Sequence, residues 1–405
     1  MSLVSPFRAL RPAPEAASRV ASVPYDVVNT EEARRIAAGN PLSILHVTRA
    51  EIDLPADTNP YDARVYDQAV QNLEALKREA PLVIEDAPSL YFYRLKMGAH
   101  EQTGLAACFS VDEYERGLIK KHEKTRKEKE DDRTRHLLEL RAQTGVVFLT
   151  YRASAAIDDL ARRACAGAPL YKLTASDGVE HTIWRVPAAL TEPIVGAFAA
   201  LPATYIADGH HRAASAARAH QAIAAEGGRT ADACTFIAVA FPDSQVSILP
   251  YNRVVADLAG KTPETFLAEL RSKVSVMDGS ATPSGPGHVS MFLGGRWHDV
   301  TLPRAAAGAA RADALDVEVL QKSVLEPLLG VGDPRTDKRI DFVGGIRGSA
   351  ELERLVNSGK AAIAFALHPV SVDDLMAIAD AGGIMPPKST WFEPKLRDGL
   401  LTHLI

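Results

Sequence analysis

The feature that most constrains this chain is an abrupt change of backbone habit between residues 204 and 213. Thr204 to Ala207 (TYIA) reads as a β-strand, Asp208-Gly209 breaks it, and an alanine-rich helix follows over Ala213 to Glu226, stopped by Gly227 and Gly228. A strand that feeds straight into a helix leaves the first helical N–H groups uncovered and turns the positive end of the helix dipole towards the strand end. That corner attracts anions. Gly209 keeps a Cβ out of the approach. His210, His211 and Arg212 bring further donors, and the planar fork of Arg212 suits a phosphate. No GxxxxGK[ST] occurs, so this is not a Walker A loop. The plainer alternative makes Asp208 an N-cap and the histidines surface residues.

A second segment, Lys120 to His136 (KKHEKTRKEKEDDRTRH), is dense in charge. On a continuous helix His122, Arg126, Lys129, Arg133 and His136 fall on one stripe. The pairs Arg126/Lys129 and Lys129/Arg133 repel each other unless something negative lies along that face. A phosphorylated ligand, or carboxylates from another domain, would answer; a solvated charged helix with internal pairs such as Glu123–Lys127 is the bland alternative. For the histidines a metal is the rival partner. No HExxH or closely spaced His/Cys/Asp set accompanies them in the sequence, so no protein-held metal is expected, whereas Mg2+ carried in by nucleotide phosphates needs only one or two carboxylates.

Around these segments the chain alternates strand-like and helical runs. A helix is expected from Thr30 with Thr30 as its cap, a strand over Leu42 to Val47, and a helix over Tyr61 to Arg78 that buries Val65, Ala69, Leu73 and Leu76. Hairpins are expected from Leu90 to Met97 with Gly104 to Val111, around Asp177-Gly178, and around Gly294-Gly295. With 405 residues, two or three domains are expected. We read them as residues 1–110, an N-terminal α/β region; 111–255, a phosphate-binding region; and 256–405, a C-terminal α+β region with a proline-rich tail. The fold class is α+β, a mixed multi-domain protein.

Composition narrows the function. Lys plus Arg is 46 against 51 for Asp plus Glu, a formal net charge of −5, which argues against a surface built to grip nucleic acid directly. The three cysteines are scattered and in no CxxC pattern, so a reducing, cytoplasmic setting is expected, and no apolar run is long enough for a membrane span. The tail around Lys388, Ser389, Thr390 and Lys395 reads either as a lid over phosphates or as a strap held down by Trp391 and Phe392.

PFRALRP, SVPYDVVNTEEAR, KKHEKTRKEKEDDR, YIADGHHRAASA, LPYNRVV and MPPKSTWFEPK, in that order from Pro6 towards the C-terminus, together resemble the DUF1015 family. Part of the chain also resembles the ParB/sulfiredoxin-like fold of free L-serine kinases, in which a His-Glu motif precedes a strand and an Asp-Gly-His-X-Arg turn. The matching residues here are His122-Glu123 and Asp208 to Arg212. The resemblance implies a nucleotide-dependent kinase that forms O-phosphoserine from L-serine, with ATP or ADP as donor and Mg2+ as counter-ion. It implies Glu123 as catalytic base, with Asp208 beside it. Gly209, His210, His211 and Arg212, with Lys121, His122, Arg126, Lys129 and Arg133, would hold the nucleotide. Residues 123 and 208 are 85 apart, so the Asp177-Gly178 hairpin is expected to be an insertion. The alternative is a nucleotide-binding regulatory protein of the same fold that transfers nothing. A cysteine in the glycine-rich turn, which sulfiredoxin chemistry requires, is replaced here by His210 or His211.

Overall fold

A computed structural model describes residues 2–228 and 231–405. The chain divides into two compact units, residues 1–246 with 394–405, and residues 247–393. The fold is a mixture of α and β built on several sheets.

The first unit is organised by a nine-stranded sheet. Its strands are β1 (Val4–Ser5), β2 (Tyr91–Met97), β3 (His100–Ser110), β4 (Ile119–Lys120), β5 (Val147–Tyr151), β6 (Tyr171–Thr174), β7 (Glu180–Arg185), β8 (Thr204–Asp208) and β9 (Thr235–Pro242). They run in the order β4-β8-β5-β9-β3-β2-β7-β6, with β1 also paired to β3. Two pairs are parallel, β4 with β8 and β5 with β9, while the other ladders are antiparallel. The hairpins expected at β2–β3 and β6–β7 are both present. Gly104 in β3 shows why a glycine stands there: a Cβ would lie 2.7 Å from the Ala240 carbonyl oxygen.

Because β3 lies inside this sheet between β9 and β2, the boundary expected at residues 110/111 falls within one sheet rather than between domains. The apolar content of β3 looked the same whichever neighbour it paired with. Likewise the run Leu42 to Val47, expected as a strand, ends in the short helix Leu45–Thr48, with Leu42, Ile44 and Val47 buried against helix Ala63–Glu79. A short apolar run does not distinguish the two habits, and core packing decided. The first helix, Thr30–Ala37, is capped by Asn29 through a capping box with Glu32, one residue earlier than expected.

Two helices flank the site. α1 (Lys127–Leu140) and α2 (His210–Ala225) lie against each other, tied by Arg218 to Glu130 at 3.3 Å and to Asp131 at 2.5 Å. The alanines explain the seat of α2: Ala213, Ala216, Ala217 and Ala219 are buried in the same cluster as Leu149, Ile206 and Phe236, so the helix lies close on the sheet.

The second unit is a six-stranded antiparallel sheet in the order Ser275–Asp278, Arg296–Thr301, His288–Leu293, Ile363–Leu367, Tyr251–Val255, Ile340–Gly344. Its core includes Val254, Phe292, Val343, Leu352 and Ala364. Among the described residues no helix is long and apolar enough to cross a membrane.

Candidate functional site

Strands β4 and β8 are neighbours and parallel, with Ile119 opposite Thr204 and Lys120 opposite Tyr205. Parallel strands end on the same side. The carboxyl end of β4 therefore delivers Lys121-His122-Glu123 beside the carboxyl end of β8, which delivers Asp208-Gly209-His210. Crevices at the carboxyl ends of parallel strands are where α/β sheets hold ligands. The two segments read separately in the sequence are one place in the fold.

At the β8–α2 corner Gly209 takes φ +94°, a conformation that favours glycine. A Cβ there would meet Arg212 Cδ at 3.3 Å and Val147 Cα at 3.4 Å, so the absent side chain makes room for packing beneath the turn. The expectation that Gly209 clears the way for a phosphate is replaced by this inward role. Asp208 does not cap the helix. Its Oδ2 accepts from Lys395 Nζ at 2.9 Å. Burial raises the Asp208 pKa, but Lys395 and Arg212 outweigh it and hold the carboxylate below its usual range.

The two histidines act as acceptors. His210 Nε2 accepts the His122 backbone N–H at 3.4 Å, and His211 Nε2 accepts the Arg126 backbone N–H at 3.0 Å. An accepting Nε2 is bare, so both rings are neutral with the proton on Nδ1. Burial agrees: it lowers the pKa of His211, it takes His210 well below its ordinary value with help from His122, and it takes His122 down to about 4. The loop from His122 to Arg126 is thus stitched at both ends to the first turn of α2. Glu123 lies between the stitches, exposed, with Oε2 3.8 Å from His210 Nδ1. The buried His122 and His210 rings meet edge to face, centroids 4.4 Å apart.

Arg212 is not at the surface of this site. It is 8% exposed, donates through Nη2 to both Asp26 carboxylate oxygens at 2.6 Å and through Nη1 to the Val146 carbonyl at 2.6 Å. The expected phosphate clamp is instead a buried strut, because Asp26 from the SVPYDVV segment reaches it first. The cationic stripe is also redirected. Helix α1 starts at Lys127, leaving Arg126 as its N-terminal flanking residue and His122 outside it. Lys129 donates to the Tyr61 hydroxyl at 2.6 Å, and Arg133 reaches Asp132 at 2.8 Å and the Thr48 carbonyl at 3.4 Å with its guanidinium over Tyr25. His136 Nε2 lies 3.0 Å from the Val47 carbonyl oxygen. Asp132 and the Thr48 carbonyl supply the negative partners that Arg133 needed, so the C-terminal end of the stripe, Arg133 and His136, faces the N-terminal helices, while Arg126 and Lys129 remain exposed. Lys121 stands over the Tyr114 ring at 3.9 Å.

Of the expected site residues, the fold gathers Lys121, His122, Glu123, Arg126, Asp208, Gly209, His210 and His211, sends Arg133 and Arg212 into packing, and leaves Lys129 exposed against the Tyr61 hydroxyl. Of the tail residues Lys395, which belongs to the first unit, arrives at this corner; within the second unit Lys388 stands over Tyr251 and Ser389 Oγ donates to the Pro386 carbonyl. One juxtaposition is invisible in the sequence: ligating atoms of His122, Glu123 and His210 all lie within 4.8 Å of one another. The closely spaced donor set absent from the sequence is assembled by the fold.

A family model described as a protein of unknown function (DUF1015) matches residues 4–319. No curated protein sequence matches the chain. Among solved structures the chain is similar to a free serine kinase in complex with AMP, with TM-score 0.37 and 10% identity over 73% of this chain and 91% of that one. It is similar to SbnI with a C-terminal truncation from Staphylococcus aureus, with TM-score 0.40 and 13% identity over 74% and 87%. A conserved hypothetical protein from Pyrococcus furiosus gives TM-score 0.35 and 12% identity over 73% and 94%.

Proposed function

The chain belongs to the DUF1015 family, and for this member we propose nucleotide-dependent transfer of a phosphoryl group to the hydroxyl of a small molecule, L-serine by the motif resemblance. The nucleotide-binding unit in this reading is the ParB/sulfiredoxin-like part of the first unit, from β4 to β9.

One observation carries the reading. Glu123 is held at the N-terminus of α2 by a loop pinned at both ends, within 3.8 Å of His210. Phosphoryl transfer asks for positioning, charge neutralisation and an acceptor for the hydroxyl proton. The N–H groups of the first turn of α2 meet phosphate oxygens. Glu123 takes the hydroxyl proton as the oxygen bonds to phosphorus; the bond to the leaving nucleotide oxygen breaks and its electron pair departs with the nucleotide. General-base assistance of this kind gives roughly 10²–10⁴-fold. The neutral His210, its Nδ1–H turned to the carboxylate, orients Glu123 without taking its charge.

Asp208 fits a counter-ion delivered with phosphates, since Lys395 and Arg212 keep it ionised and its side chain is 30% exposed. Mg2+ bound there would screen phosphate charge. The rival reading, a nucleotide-binding regulator without transfer, is favoured by the commitment of Arg212 to Asp26, which removes one cation from the phosphates. Incubation with ATP or ADP, Mg2+ and L-serine separates the two. O-phosphoserine detected by mass spectrometry is the expected product, and binding without any phosphorylated product points to the regulator.

A further inference from the structure

His122 has no task in the reaction above beyond its backbone N–H, yet its side chain is placed with care. The imidazole is 3% exposed, and its Nδ1 is buried without a hydrogen-bond partner. Its other nitrogen is engaged by the Ile206 backbone, which leaves Nδ1 as the bare lone pair. A buried lone pair that meets no donor is costly to keep, and a metal ion is one group that satisfies it. Two further donors stand at the same spot, Glu123 and His210, with all three ligating atoms inside 4.8 Å.

We propose that His122, Glu123 and His210 form a binding site for a divalent transition-metal ion with affinity for nitrogen, Zn2+ or Co2+, and that its occupancy switches Glu123 off as a base. The donor set selects the metal. Two imidazoles and one carboxylate suit Zn2+ and Co2+, whereas Mg2+ demands oxygen ligands and keeps its waters. A tetrahedral ion with bonds of about 2.1 Å holds its ligands roughly 3.4 Å apart. The present separations must close by an ångström or so, and the exposed Glu123 carboxylate is the ligand able to move. His210 has to shift its proton from Nδ1 to Nε2, giving up the 3.4 Å bond from the His122 N–H, while the His211–Arg126 stitch at 3.0 Å stays in place. Three protein ligands leave a fourth position for water.

The switch rests on the reading of Glu123 as the base, because a carboxylate drawn onto the ion is turned towards it and made much less basic towards a hydroxyl proton. The metal site itself stands apart from it. Titration of the full chain with Co2+ in the absence of nucleotide is expected to give a saturable visible absorption band at one equivalent. His122→Ala should weaken that binding at least about 10–100-fold. Glu123→Gln, at an exposed position, gives a second variant whose folding is not at issue and should weaken it similarly. No band with the folded wild type, or a band unchanged in both variants, overturns the site. In the kinase assay with Mg2+, stoichiometric Zn2+ should stop transfer and a chelator should restore it; full activity with Zn2+ bound overturns the switch. If no transfer is seen under any condition but Co2+ binds, the function reading fails and the metal site stands. If phosphoserine forms and Co2+ does not bind, the reverse holds.

Discussion

His211 Nε2 accepts the backbone N–H of Arg126 at 3.0 Å, so the residue that follows the first position of α2 fixes the residue that precedes α1. The bond joins positions 85 apart in the chain and closes the loop that carries Glu123. A side chain that looked like a phosphate donor is a clamp on the segment that carries Glu123. His211→Ala should cost about 1 kcal/mol of stability, the worth of one such bond. Turnover should fall by roughly tenfold through the freed loop. His211→Gln, whose carbonyl can also accept, should recover part of the turnover. Steady-state kinetics alongside thermal melts checks this, and a loss of nucleotide affinity with unchanged turnover would point back to a phosphate contact.

Arg212 leads to a different outcome from the one its motif suggests. Its removal leaves the fully buried Asp398 and the less buried Asp208 and Asp26 without the counter-charge they share, and the Val146 carbonyl without its donor. Arg212→Ala should therefore destabilise the first unit by about 3 kcal/mol, lowering its melting midpoint by roughly 6–10 °C. Calorimetric melting compared with nucleotide titration at low temperature distinguishes the roles. A weakened affinity with an unchanged midpoint contradicts the strut.

Buried neutral histidines set the response to acid. Burial brings His122 and His136 down to about 4 and His181 to about 3, against an ordinary value near 6.5. The unfolded chain binds these protons first as pH drops. The stability they contribute is whole above pH 6.5 and is lost as pH falls towards 4, by about tenfold in the folding equilibrium per pH unit for each histidine. Denaturant melts at pH 7, 6 and 5 should show that decline, and His136→Gln should flatten part of it.

Asp398 works in the opposite direction. Its carboxyl is fully buried and pushed up to about 7 chiefly by burial, against the pull of Arg212. Between pH 4 and 7 the folded form holds a proton that the unfolded form has released, so this group lowers stability as pH rises. Asp398→Asn keeps an oxygen for the Val146 N–H, 3.4 Å away in the wild type. Its midpoint relative to wild type should climb from pH 5 to pH 8. A difference that stays constant with pH rules out ionisation at this residue.

The legible parts of this molecule are those set by local pattern. The β8–α2 corner, the two hairpins of the large sheet and the buried face of helix Ala63–Glu79 follow from alternation, glycine and 3.6-residue spacing. What escaped was decided by distant partners. Asp26 takes Arg212, Thr48 and Val47 offer carbonyls to α1, and β4 runs parallel to β8. A charged stripe shows that a negative partner must exist without saying which, and here the answer lay in the N-terminal helices. The meeting of His122 and Glu123 with His210 likewise depends on which strands are neighbours, which spacing along the chain does not encode.

The position of Glu123 carries the central claim, and one variant addresses it most directly. Glu123→Gln preserves shape and removes the proton acceptor. Single-turnover transfer from ATP or ADP to L-serine with Mg2+, measured beside nucleotide affinity by calorimetry, is expected to fall by at least about 100-fold while affinity changes less than threefold. Wild-type turnover in this variant would remove Glu123 from the chemistry and with it the functional assignment of this corner.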